Sequence, residues 1–175
     1  MIGNDIVDLN ISRQESNWQR KGWMQKIFSA EEQAVIYLSA DQEKMVWLFW
    51  SMKEAAYKIF NRNSGKICYA PDSLHCTIDK ISQEEALGKV LHKGIVYHTH
   101  SVFETDYIHT VAKPEAVNDK INITLIRKVN EPIKLPAHLT LNKDNLGIPY
   151  LLDINSGHSI DASLSHHGSY TALVY

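Results

Sequence analysis

An α+β fold, with N-terminal helices packed on a mostly antiparallel sheet, is predicted by two features of the 175-residue chain. Helical spacing and helix-start signals crowd the first third, and from residue 67 onward the pattern turns to short alternating segments. Composition agrees: 44% hydrophobic and 22% charged residues describe an ordinary globular chain, and the length suits one core, so a single domain over residues 1–175 is expected.

Taken in order, Gly3-Asn-Asp-Ile-Val-Asp-Leu9 is an apolar segment carrying two acids; as a short strand it would place Asp5 and Val7 on one face and Ile6 and Asp8 on the other. Ser29-Ala-Glu-Glu32 has the form of a capping box, and Ser39 to Gln42 repeats it before a helix expected over about residues 41–60. Strands follow from the alternation of Leu74, Cys76 and Ile78, and of Ile121, Ile123 and Leu125. Further strands are expected at Val90–Leu91, Ile95–Phe103, Tyr107–Ala112, Tyr150–Ile154, Ile160–Ser165 and Tyr170–Tyr175, with turns at Lys93-Gly94 and His167-Gly168-Ser169.

Charge and cysteine usage narrow the partners. A formal charge of −2 gives no global basic field to hold nucleic acid, so a phosphate ligand would have to be gripped locally. Cys68 and Cys76 make no disulfide framework and suit a reducing compartment, the cytosol. The acidic start is unlike a signal peptide, and no apolar run is long enough to span a membrane.

The long helix has two stripes. Leu48, Met52, Ala55 and Ile59 form a core stripe; Trp47, Ser51, Glu54 and Lys58 share another. On its own the Glu54–Lys58 pair is what a solvated face carries, at about 0.2–0.5 kcal/mol, but leaving Trp47 and Trp50 in water argues that this side is covered as well. An acid on the first strand opposite Glu54 would give two carboxylates able to share Mg²⁺ with phosphate oxygens. Ser163-Leu-Ser-His-His-Gly-Ser169 puts hydroxyls, imidazoles and backbone N–H groups at a turn, a reasonable small anion site, with no third acid to suggest a nucleophilic triad.

Four motifs in the right order resemble the 4′-phosphopantetheinyl transferase superfamily, in particular its holo-acyl-carrier-protein synthase type. Gly3-Asn4-Asp5-Ile6-Val7-Asp8-Leu9 is similar to its opening G-x-D-I-x-E-[IL], and Phe28-Ser29-x-x-Glu32 to its F-[ST]-x-x-E. Trp50-Ser51-Met52-Lys53-Glu54-Ala55-Ala56-Tyr57-Lys58 is similar to its [WF]-[SA]-x-K-E-[AS]-x-x-K, and Ser163-Leu164-Ser165-His166 to its S-[IL]-[ST]-H. The resemblance covers roughly residues 1–66 and 145–175 and leaves 67–144 without a counterpart. It implies transfer of the phosphopantetheine arm of coenzyme A to a serine of an acyl or peptidyl carrier protein. In that chemistry Asp5 and Glu54 hold Mg²⁺, Lys58 contacts the phosphate and neutralises or protonates the leaving group, and Ser165 and His166 touch the nucleotide phosphates.

Departures from the pattern are informative. Val7 stands where larger relatives have a third acid, implying a two-carboxylate site; Asp8 replaces the usual Glu; and Phe60-Asn-Arg-Asn-Ser-Gly65 replaces a glycine-rich turn. Residues 10–28 hold Arg13, Arg20, Lys21 and Lys26 against Glu15; such runs are usually solvated faces, but the resemblance implies a basic docking surface for an acidic carrier, with Arg13 and Arg20 as contacts. Compact relatives build their site across a subunit interface, which implies self-association here, as a trimer. A catalytically silent relative that binds coenzyme A or a carrier is the alternative, and a transition-metal site at His98 and His100 a third.

Overall fold

The computed structural model describes residues 1–65, 70–114, 123–128 and 131–175, with the backbone course only at 123–128. It is α+β, with four α-helices and every strand pair antiparallel among the described residues. Strand β1 (Gly3–Asp8) leads through α1 (Leu9–Glu15), α2 (Trp23–Ile27) and α3 (Ala30–Leu38) to the long α4 (Gln42–Ser64). A meander of β2 (His75–Ile81), β3 (Glu85–His92), β4 (Ile95–Phe103) and β5 (Tyr107–Pro114) follows, and β1 adds to its far edge in the order β1-β5-β4-β3-β2. Strands β6 (Ile123–Lys128), β10 (Ser163–His167) and β11 (Tyr170–Val174) form a second sheet, and β7 (Leu139–Lys143), β8 (Pro149–Asp153) and β9 (Ser159–Asp161) a third.

Local chemistry explains the helix ends. Ser29 caps α3 through a reciprocal box: its hydroxyl accepts from the Glu32 N–H, and the Glu32 carboxylate accepts from the Ser29 N–H. The expected cap at Ser39 is corrected to Asp41, whose carboxylate accepts from the Lys44 N–H; the Ser39 hydroxyl instead holds the Asp41 backbone. Helix α4 also runs one turn past the expected end, until Gly65 takes the left-handed conformation at φ 62° that closes it.

The core lies between α4 and the five-stranded sheet, where Leu48, Met52, Ala55 and Ile59 are all essentially inaccessible. The second stripe is covered too, as the cost of leaving Trp47 and Trp50 in water argues: Trp47 and Ser51 are buried, and Trp23 of α2 packs edge-on to Trp47 and stacks on Trp50. One segment expected as a single strand, Ile160–Ser165, divides at Ala162 into β9 and β10, and β7 had no expected counterpart. Cys76 is a buried free thiol; Cys68 and the start of the Ile121–Leu125 strand fall outside the described residues. No described helix is long and apolar enough to cross a membrane.

Candidate active site

Strand β1 crosses α4 backbone to backbone. A Cβ on Gly3 would sit 2.1 Å from the Ala55 carbonyl oxygen, so only glycine lets the strand come this close. Asp5, on the same face two residues on, is thereby brought to Lys58 of α4, its Oδ1 3.6 Å from the ammonium, and into the field of Glu54. The Lys58 Nζ donates to the Asn4 carbonyl at 2.6 Å, tying helix to strand.

Asp5 is 14% exposed, and burial pushes its carboxyl up to about 7; the Lys58 charge pulls it down and the Glu54 charge raises it. The Ile6 N–H also donates to the Asp5 carboxylate. Beneath it, the Thr110 hydroxyl, in register with Asp5, is hydrogen-bonded to the hydroxyls of Ser51 and Ser101. His109, the next residue of β5 and on the opposite face of the strand from Thr110, is buried with its Nε2 3.2 Å from the Asn4 amide nitrogen; burial first, then the Lys58 and His100 charges, lower it to about 4, so it is neutral at pH 7.

A cleft of about 240 Å³ opens over these groups, lined by Asp5, Trp47, Trp50, Glu54, His166 and His167 among others. The structure thus brings Asp5, Glu54 and His166 to one cavity within one chain, with Lys58 against Asp5. Ser165 is buried behind the cleft, its hydroxyl without a partner among the described residues. Arg13 lies elsewhere, its guanidinium bound to Glu43 at 2.9 Å, and Arg20 is exposed in the loop before α2. His100 pairs with Glu85 at 2.8 Å, and the described residues contain no group of three or more His, Cys, Asp or Glu placed to hold an ion.

A sequence model of the 4′-phosphopantetheinyl transferase superfamily matches residues 1–112, from β1 to β5 and across both acids and Lys58. The chain belongs to that superfamily. No curated protein matches it. The superfamily match stops before the β10–β11 hairpin, so His166 is joined to the site by the fold rather than by the matched span.

Other members of the superfamily motifs are structural here. Glu32 and Lys53 form an ion pair at 2.8 Å, both essentially inaccessible, with the second Glu32 oxygen accepting from the Cys76 N–H and the ammonium donating to the Pro71 and Leu74 carbonyls. Asp8 caps α1, accepting from the Asn10 and Ile11 N–H groups at 3.0 and 3.1 Å. Residues that sequence reasoning passed over are Thr110, which lies beneath Asp5, and His109 on the other face of β5; the strand is buried on both faces, so no alternation singles either of them out.

Proposed function

We propose that this protein transfers the 4′-phosphopantetheine arm of coenzyme A to a serine hydroxyl of an acyl or peptidyl carrier protein. The observation that carries the proposal is the meeting of Asp5, Glu54 and His166 at one cleft, with Lys58 against Asp5, in a chain of this superfamily. The serine oxygen bonds to the phosphorus of the phosphopantetheine phosphate, the pyrophosphate P–O bond breaks, and adenosine 3′,5′-bisphosphate leaves, with the serine proton passing to solvent or a site base.

The donor set fits Mg²⁺. Two carboxylates face one cleft, one of them held in an environment that resists its own charge, and an ion that keeps several waters needs few protein ligands. Bound there, Mg²⁺ would supply charge neutralisation for the pyrophosphate. Asp5 and Glu54 would hold it, Lys58 would offset charge on the leaving phosphate, and His166, with Ser165 behind it, would meet the nucleotide phosphates. The Trp47 indole N–H, buried at the cleft and without a partner among the described residues, is a further donor for a phosphate oxygen.

The carrier would dock beside α2, where Trp18, Arg20, Lys21, Met24 and Tyr37 line a groove of about 350 Å³ that mixes positive charge with apolar surface. Arg13, engaged with Glu43, would contribute from the neighbouring face of α1. A reducing compartment such as the cytosol suits the free Cys76 thiol.

Intact mass of an apo carrier protein after incubation with this protein, coenzyme A and Mg²⁺, with an EDTA control, tests the reading. A metal-dependent gain of one phosphopantetheine arm is expected. No gain on a panel of carriers, with coenzyme A still bound, would identify a silent binding relative; no gain and no binding would overturn the reading.

A further inference from the structure

The hairpin that carries His166 is fastened to the strand that carries Asp5. The Asp8 N–H donates to Nδ1 of His167 at 2.9 Å, and the Ser169 N–H donates to Oδ2 of Asp8 at 2.9 Å. Between them Gly168 turns at φ 52°, so close that a Cβ would lie 2.5 Å from Asp8 Oδ2 and 2.6 Å from Ile11 Cγ1. At the other end of the strand the Asn4 N–H donates to the Ser163 hydroxyl at 3.0 Å, and the Asn4 amide donates to the Ala172 carbonyl at 3.1 Å. The edge of β1 that does not pair with β5 is therefore closed by side chains of β10.

This contact uses Asp8 twice over. Oδ1 caps α1, while Oδ2 and the backbone N–H grip the hairpin turn. Burial would raise the Asp8 carboxyl, but the N–H groups of Ser169, Ile11 and Asn10 and the nearby His167 outweigh it and hold the group below its ordinary range. Accepting at Nδ1 puts the His167 proton on Nε2, which points toward Glu15 at 3.9 Å. Two elements more than 150 residues apart in sequence, as Asp8 and Ser169 are at a separation of 161, are thus joined at the mouth of the cleft.

We propose that Asp8 and His167 are positioning residues that lock the β10–β11 turn onto the chain's own β1. His166 is then supplied in cis to Asp5 and Glu54, and one polypeptide carries the complete site. The inference rests on the proposed transfer function for its activity readouts, and it removes the reason for requiring a subunit interface: the histidine and the carboxylates that the resemblance places on different chains line one cavity of a single chain.

Three measurements on the full chain test it. Glu54→Gln and His166→Ala chains, unfolded and refolded together, should show no more transfer than the two refolded apart; recovery to roughly a quarter of wild-type activity, as random shared interfaces would give, would overturn the proposal. Asp8→Asn keeps an acceptor for the α1 cap and loses the one for Ser169, so it should fold with a near-normal Tm yet raise the coenzyme A KM by roughly tenfold while leaving the carrier KM unchanged; an unchanged coenzyme A KM would remove Asp8 from positioning. The third readout needs no activity. The Met1 ammonium lies 3.3 Å from Asp161, just before β10, so a carbodiimide should couple them. In a refolded mixture of ¹⁴N- and ¹⁵N-labelled chains the coupled peptides should be of one isotope each; mixed-isotope products, or no Met1–Asp161 product, would overturn cis assembly. If the wild type transfers nothing, the function fails on its own and this third readout still decides the assembly.

Discussion

The Lys58 ammonium donates to the Asn4 carbonyl at 2.6 Å while standing 3.6 Å from the carboxylate of the next residue, Asp5. One cation thus anchors helix α4 to strand β1 and favours the charged form of the acid it helps to place. Lys58→Met should cost about 1–3 kcal/mol of stability by deleting a charged hydrogen bond, and should drive the Asp5 carboxyl above about 7, since the one opposing charge is gone. Carboxyl ¹³C titration of Asp5 reads the second effect directly, and transfer should be lost.

Gly3 permits the crossing that puts Asp5 beside α4. Gly3→Ala would drive a methyl into the Ala55 carbonyl, a contact neither backbone can yield cheaply. A loss of about 2–4 kcal/mol in chemical denaturation is expected, with metal affinity falling alongside it because Asp5 is displaced from Glu54.

Breaking the buried Glu32–Lys53 pair should be more damaging than any change at the cleft. Lys53→Met leaves a carboxylate with no cation at an inaccessible site, for an expected cost of about 3–5 kcal/mol. Replacing both partners, as Glu32→Leu with Lys53→Met, should recover part of that loss even though the Ser29 and Cys76 N–H groups lose their acceptor. Thermal melts of the two variants distinguish the charge term from the hydrogen-bond term.

Asp5 gives the metal-free protein a pH dependence of unusual sign. Its carboxyl is raised from about 3.9 in the unfolded chain to about 7, so the fold favours the protonated acid, and stability is lost as pH rises between these values. The loss is about 2–4 kcal/mol. Asp5→Asn should therefore be more stable than the wild type at pH 8 and similar to it at pH 4, in denaturation curves recorded with EDTA; saturating Mg²⁺ should narrow the difference.

His109 works in the opposite direction. It is lowered to about 4 from an unfolded value near 6.5, so its neutral burial favours the fold above pH 6.5 and costs up to about 3 kcal/mol as pH falls to 4. Because this slope and that of Asp5 partly cancel in the wild type, each emerges only as a difference: His109→Gln should lose less stability than the wild type between pH 7 and pH 4.

Elements set by contacts within a few residues could be read from the chain directly. The Ser29 box, the buried stripe of α4 and the hairpin at Lys93-Gly94, where both residues take positive φ, follow from spacing and turn chemistry alone. Motif spacing likewise marked Asp5, Glu54 and Lys58, since i, i+4 on a helix holds two side chains on one face wherever that helix goes. Short-range rules failed where two local solutions were equally good. Ser39 and Asp41 can both cap α4, and Asp41 does so because Ser39 ends α3. Among the described residues the short strand β7 pairs only with β8, and its five residues carry too little alternation to stand out.

What Trp47, Asp8 and His167 do was decided by partners far away in the chain. Trp47 is buried because α2 returns across α4 and places Trp23 against it, a matter of loop path that helical spacing does not encode. Asp8 could be a cap, a metal ligand or a surface acid by residue type. The arrival of Ser169 and His167 makes it a clamp. Side-chain identity and local periodicity prescribe chemistry and faces, but a hydrogen bond between residues 161 apart exists only once the β10–β11 hairpin has packed against the edge of β1, and that packing is what brings the histidine to the carboxylates.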